Sequence, residues 1–342
     1  MPTVRAPRLV LALVAAATLG PAVALAETST TPPVPPAAPA AAAAPAAPSP
    51  GLLDRLPDND KIDYAFGAFQ RGYYVEALAI AVERAKLNDA VAQSLIGYLY
   101  ANGLGVPKKP EEAAVWYQLA VKNGNVKARV ELANLYALGL GVDQDLNKAA
   151  DLLRQAIDQG DVDGNYWLGI IYLDSRSDLR DYAAAAKCFT IAADAGNIDA
   201  AYALATLYRE GQGVDKDIGR AAQLMGQAAR GGHQAAQVEY AIMIFNGDGI
   251  AKDSRTAAAW LKLAAEAGNP VAENRLARLY LAGEGVERNV QEALRWYRRA
   301  RAAGLVDAGI EEDIAKATAT DDVDTGLPGV RLTKPLAPPP TK

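Results

Sequence analysis

Cysteine and histidine occur once each in the 342 residues, as Cys188 and His233. One of each cannot form a disulfide, a zinc site, or a Ser-His or Cys-His nucleophile pair. Positive charge is not in excess: 35 Lys and Arg stand against 40 Asp and Glu, a formal net charge of -5. Nucleic acid is therefore excluded as the main partner, because phosphate binding needs a basic stripe. Ser-x-x-Lys, Ser-Asp-Asn and Lys-Thr-Gly are all missing, which removes the serine chemistry that uses them. Beyond the first 26 residues no apolar run is long enough to span a bilayer. Nothing in this inventory implies a cofactor, a metal or a catalytic residue.

What is abundant is alanine and a regular glycine. Glycine stands at 124, 160, 196, 232, 268 and 304, and Gly-x-Gly pairs open at 103, 139, 211, 247 and 283. A fixed 36-residue period marks an array of stacked supersecondary units rather than one enclosed globule. The 125–160 segment shows the unit. Asn125 can cap a helix. Ala128, Leu132, Ala133 and Tyr136 follow at helical spacing. Gly139-Leu140-Gly141-Val142 ends that helix, and Ala149, Leu152, Leu153 and Ala156 mark a second. Alanine fills 77, 113, 149, 185, 221, 257 and 293, and again 120, 156, 192, 228, 264 and 300. Side chains that small let neighbouring helices approach closely. Tyrosine holds 64, 100, 136, 172, 208 and 280, with Ile244 as the exception.

The two ends read differently. Arg5 and Arg8, an apolar run from Leu9 to Leu19, and Ala24-Leu25-Ala26 before Glu27 form a signal peptide over 1–26, with cleavage expected after Ala26. The mature protein is then periplasmic or secreted, without stable membrane insertion. Residues 27–57 are a Pro/Ala-rich linker too poor in large apolar residues to fold. Its 20 residues from Thr31 to Pro50 would reach roughly 60 Å as an extended polyproline-like chain. The array is expected over 58–317, with a degenerate first helix pair, six full units from 89 to 304 and a polar terminal cap. A loose tail follows over 318–342.

The pattern Ala-x-x-x-Leu-Ala-x-x-Tyr-x-x-Gly-x-Gly-Val, a polar loop, then Ala-x-x-Trp-x-x-x-Ala-x-x-x-Gly-Asn resembles the Sel1-like repeat family. Ala272, Leu276, Ala277, Tyr280, Gly283, Gly285, Val286, Ala293, Trp296, Ala300 and Gly304 carry it in one unit, and Tyr100, Gly103, Gly105, Ala113, Trp116, Ala120 and Gly124 in another. The unit 161–196 departs, with Ser175 and Ser177 for the glycines and Cys188 for tryptophan. The resemblance implies an all-α, right-handed α-solenoid related to tetratricopeptide repeats, of about seven helical hairpins plus a C-terminal capping helix.

Several residues invite stronger readings. The register places Cys188 in the slot of Trp116, Leu152, Leu224, Trp260 and Trp296, a core position where a thiol is inert. His233 holds the capping slot of Asn125, Asp161, Asn197 and Asn269. The Gly-x-Gly pairs follow helices rather than strands and lack a third glycine, so they are not phosphate cradles. Trp116, Trp260 and Trp296 read as inter-helix core. Trp167 shares its slot with Leu95, Glu131, Ala203, Glu239 and Arg275, so it is expected to be partly exposed.

By the same resemblance the first helix of each unit lines a concave groove through two slots: 94, 130, 166, 202, 238, 274 and 98, 134, 170, 206, 242, 278. Tyr98, Asn134, Tyr166, Tyr202, Thr206, Asn274 and Arg278 are the expected partner-binding residues, since tyrosine offers large contact area with a polar tip. The function implied is a non-enzymatic, exported scaffold docking a protein or peptide in the groove, in envelope signalling or complex assembly. Two alternatives stand beside it: a peptidoglycan- or polysaccharide-binding module stacking sugars on Tyr98, Tyr166, Tyr202 and Trp167, and a carboxylate hydrolase, for which those slots supply no acid.

Overall fold

A computed structural model describes residues 64–174 and 176–321. The expected signal peptide, the linker, Ser175 and the tail from 322 onward lie outside the described residues. Every regular element among them is an α-helix, and they divide into two compact bodies at the loop that ends with Asp181. The fold is an all-α solenoid of Sel1-type helical hairpins.

The first body holds α1 (Tyr64–Gln70), α2 (Tyr74–Ala85), α3 (Ala90–Asn102), α4 (Pro110–Lys122), α5 (Val126–Leu138), α6 (Leu146–Asp158) and α7 (Asp163–Leu173). The second holds α8 (Tyr182–Asp194), α9 (Ile198–Glu210), α10 (Ile218–Arg230), α11 (Gln234–Asn246), α12 (Ser254–Glu266), α13 (Pro270–Ala282), α14 (Val290–Ala302) and α15 (Ala308–Asp321). The last helix runs past residue 317, where the array was expected to stop.

Local chemistry sets each boundary. The side chains of Asp89, Asn125, Asn197, His233 and Asn269 accept backbone amides at the starts of α3, α5, α9, α11 and α13. Asp145, Asp217, Asp253 and Asn289 do the same for second helices. These caps answer amides that a helix start leaves unpaired. Each first helix of the glycine-bearing units ends on a left-handed glycine, as at Gly139 with φ 68°. Between the two helices, Lys109, Asp145, Asp181, Asp217 and Asn289 donate their amides to the carbonyls of Tyr100, Tyr136, Tyr172, Tyr208 and Tyr280, all at 2.9 Å. The serine-bearing unit thus keeps the loop register although α7 ends on an extended Asp174 instead of a left-handed glycine.

The second glycine of each pair serves packing. A Cβ on Gly141 would fall inside the backbone of Pro110 and Glu111, at the start of α4. Gly213, Gly249 and Gly285 press the same way on Tyr182, Ile218 and Ser254. Each loop therefore seats on the start of the preceding unit's second helix, and only a residue without a side chain fits. The two alanine series beneath are buried to 1% exposure or less throughout, so helix axes come close and the core is continuous within each body.

Candidate functional site

With alanines and leucines turned inward, each first helix keeps one stripe toward solvent. On α3 it is Val91, Leu95, Tyr98 and Asn102. On α5 it is Lys127, Glu131, Asn134 and Leu138, and on α7 Asp163 and Trp167, with Asp174 just past its end. In the second body it is Asp199, Ala203, Thr206 and Glu210 on α9, then Ala235, Glu239, Ile242 and Asn246 on α11, then Val271, Arg275, Arg278 and Ala282 on α13. These rows differ from unit to unit over a uniform floor.

The expected binding residues fall into three groups. Tyr98 is exposed, at 39%, and Asn134 and Thr206 are half-buried, all on the stripe. Tyr166 and Tyr202 are not: they are buried to 3% and 4%. Val130 and Val238, in the same slot, are buried too. The accessible slot lies one residue later, at 95, 131, 167, 203, 239 and 275. A helical side chain leans toward its own N-terminus, so a given surface spot is covered by a residue about one position further along. The irregular chemistry of that slot had already set Trp167 apart in the sequence, and Trp167 is half-buried, edge-on to Tyr166 at 5.1 Å.

Asn274 and Arg278 form the third group. Asn274 Nδ2 donates to Asp307 Oδ2 at 2.9 Å, and an Arg278 guanidinium nitrogen donates to the same oxygen at 2.7 Å. Asp307 also accepts the amides of Gly309 and Ile310 at the start of α15. These two side chains anchor the terminal helix. The hydrogen bonds from Asn274 and then Arg278 hold the Asp307 carboxyl down to about 2.

Tyr202 is held by a network within the second body. Its hydroxyl donates to Glu239 Oε1 at 2.7 Å, and Arg209 pairs with the other carboxylate oxygen. Its ring stacks on His233, centroids 4.3 Å apart. His233 Nδ1 accepts the Ala236 amide at 3.0 Å, the capping role its register implied. Burial lowers the His233 pKa, against the opposing charge of Asp199.

The acids missing from the expected slots are present one residue on. Glu131 is half-buried. Burial raises its pKa, the charge of Asp161 adds to that, and Lys127 opposes it. Asp161 itself accepts the Gly164 amide at 3.1 Å. Among the described residues no group of three or more His, Cys, Asp or Glu side chains gathers as a metal site. Cys188 is half-buried, not a full core residue as its register suggested, because that slot is only partly covered at Trp116 and Trp260 as well. Trp296 is buried, with the Arg299 guanidinium 4.8 Å from its ring centroid.

A family model for the Sel1 repeat matches six consecutive segments, 90–125, 126–161, 162–197, 198–233, 234–269 and 270–305. The chain belongs to the Sel1 repeat family. Two crystal structures resemble it over most of its length. One is c5321, "a protective antigen present in uropathogenic Escherichia coli strains displaying an SLR fold", at 26% identity and a TM-score of 0.66, covering 76% of this chain. This chain spans only 57% of that protein's length. The other is a Sel1 repeat protein from Oxalobacter formigenes, at 29% identity and a TM-score of 0.59, covering 69% of this chain and 94% of that one. No curated protein matches. Sel1 repeat proteins are typically scaffolds for protein–protein interaction, and the fold is generally non-enzymatic. No helix among the described residues is long and apolar enough to cross a membrane.

Proposed function

We propose that this Sel1 repeat protein is an exported scaffold whose first-helix stripes dock a partner protein or peptide. One observation carries the reading: side chains of unlike chemistry stand in regular rows above a floor of buried alanine. Leu95, Glu131 and Trp167 form one such row in the first body, and Ala203, Glu239 and Arg275 the equivalent row in the second. A uniform floor keeps the rows at fixed spacing, and a varied row can discriminate between partners.

Export rests on the signal-like start of the sequence, and the description of c5321 as a protective antigen agrees with it. A role in envelope signalling or complex assembly follows from export and scaffolding together. Sugar stacking has less support, since of the four aromatic residues expected to carry it Tyr166 and Tyr202 are buried, which leaves Tyr98 and Trp167.

The test is recovery of crosslinked partners from intact cells with wild type and with Tyr98→Ala combined with Asn134→Ala. Neither residue belongs to the core, so the fold should persist. The reading expects loss of the specific partner, and full retention overturns it. Amino-terminal sequencing of the mature protein should begin at Glu27 if the segment before it is removed.

A further inference from the structure

Three glutamates occupy the same slot of the repeat, at 131, 239 and 311. Two of them are paired with the same two kinds of group, drawn from the first helix α9 for Glu239 and from the second helix α14 for Glu311. Glu239 accepts the Tyr202 hydroxyl at 2.7 Å and pairs with Arg209. Glu311 accepts the Tyr297 hydroxyl at 2.8 Å and pairs with Arg301 at 2.6 Å. In each, a partly desolvated carboxylate receives one tyrosine hydroxyl and one guanidinium, which together answer its charge and its lone pairs.

Glu131 has the tyrosine in place but not the arginine. Tyr117 holds the register of Tyr297, yet its buried hydroxyl has no hydrogen-bond partner among the described residues. Glu131 likewise has no hydrogen bond or ion pair there. Ala101 stands where the pattern puts Arg209, and Val121 where it puts Arg301. A buried hydroxyl and a half-buried carboxylate left open together are costly. They are also close enough that the charge of Glu131 raises the pKa of Tyr117 beyond what burial does.

Building on the docking role assigned above to the first-helix stripes, we propose that Glu131 and Tyr117 form a receptor site for an arginine side chain of the partner. Its guanidinium takes the place that Arg209 and Arg301 fill at the two closed slots. Arginine suits the site better than lysine because its planar fork can meet a carboxylate through two parallel donors, while the buried Tyr117 hydroxyl is left to donate to the same carboxylate from the protein side. Leu95 and Trp167, in the same slot on the neighbouring helices, give its aliphatic stem an apolar border.

The experiment uses the full chain labelled with carbon-13 at glutamate side chains, titrated with N-acetyl-arginine amide and followed by NMR. The Glu131 carboxyl signal should shift saturably, and the Glu239 and Glu311 signals should stay still because their sites are closed. N-acetyl-citrulline amide, uncharged and of similar shape, should bind at least about tenfold more weakly. Glu131→Gln should abolish the shift of neighbouring amides. Ala101→Arg, which supplies the missing guanidinium from within, should block the probe while raising thermal stability. Absence of a saturable response at Glu131, an equal response to citrulline, or unchanged binding in Ala101→Arg overturns the proposal. These outcomes are separable from failure of the docking reading: loss of partner in the Tyr98 and Asn134 double variant beside a silent Glu131 would sink only the arginine site.

Discussion

The imidazole of His233 lies flat against the ring of Tyr202, with centroids 4.3 Å apart and planes 21° from parallel. The same imidazole caps α11 through Nδ1. Burial lowers its pKa below the ordinary histidine value, with Asp199 and Glu239 opposing. A histidine whose folded pKa is depressed binds fewer protons folded than unfolded. Its contribution is therefore intact above about pH 6.5 and is lost as acid is added through that value toward the folded pKa. His233→Asn, which restores the usual capping residue, should remove this acid sensitivity while keeping the cap. Urea denaturation of both proteins from neutral pH down to about pH 5 measures the difference. Parallel pH profiles would contradict it.

Gly139 and Gly141 should respond unequally to alanine. Both have positive φ, 68° and 70°, so each substitution strains the backbone. A Cβ at 139 meets Gln144 Cβ at 3.2 Å, a tight contact that a small shift relieves, whereas one at 141 overlaps the backbone of α4. The expected costs are about 1 kcal/mol at 139 and about 2–4 kcal/mol at 141. Chemical denaturation of the two variants gives the order directly.

Asp307 joins α15 to α13 and should make that attachment acid-labile. Its folded pKa of about 2 lies below the ordinary carboxylate value. Stability from such a group is complete above about pH 4 and disappears as pH falls toward about 2. Amide protection factors across 308–318, corrected for the intrinsic pH dependence of exchange, should therefore fall in acid. In Asp307→Asn they should be low already at neutral pH and show little further change.

Asn125 serves two units at once. Its Oδ1 accepts the Ala128 amide at 2.8 Å, and its Nδ2 donates to the Ala90 carbonyl at 3.1 Å in the preceding unit. Asn125→Ala should cost about 1 kcal/mol or slightly more, and Asn125→Asp, which keeps only the cap, should cost less.

Much of this molecule was legible in its residues. The 36-residue period, the capping polar residues, the small side chains at helix contacts and the glycine-ended first helices, the last in five units of six, all express repeated local rules, and each recurs in the fold. The role of His233 followed from its register alone. The groove assignment was less legible. Tyr202 looks like a binding residue by type, but it is held by Glu239, Arg209 and His233, contacts between repeats that no local period reports. Asn274 and Arg278 were drawn into the terminal helix by Asp307 for the same reason. Even so, the accessible row carried a signal: at 95, 131, 167, 203, 239 and 275 residue character changes at every unit, which a packed position could not tolerate.

The most direct test of the docking account places a photocrosslinking amino acid at Asn134, on the stripe of α5, and in a second variant at Val115, an exposed position on the second helix α4. Irradiation of intact cells should yield a discrete crosslinked partner from position 134 and none from 115. A partner captured from 115 alone, or equally from both, would contradict the assignment of the first-helix stripes as the docking surface.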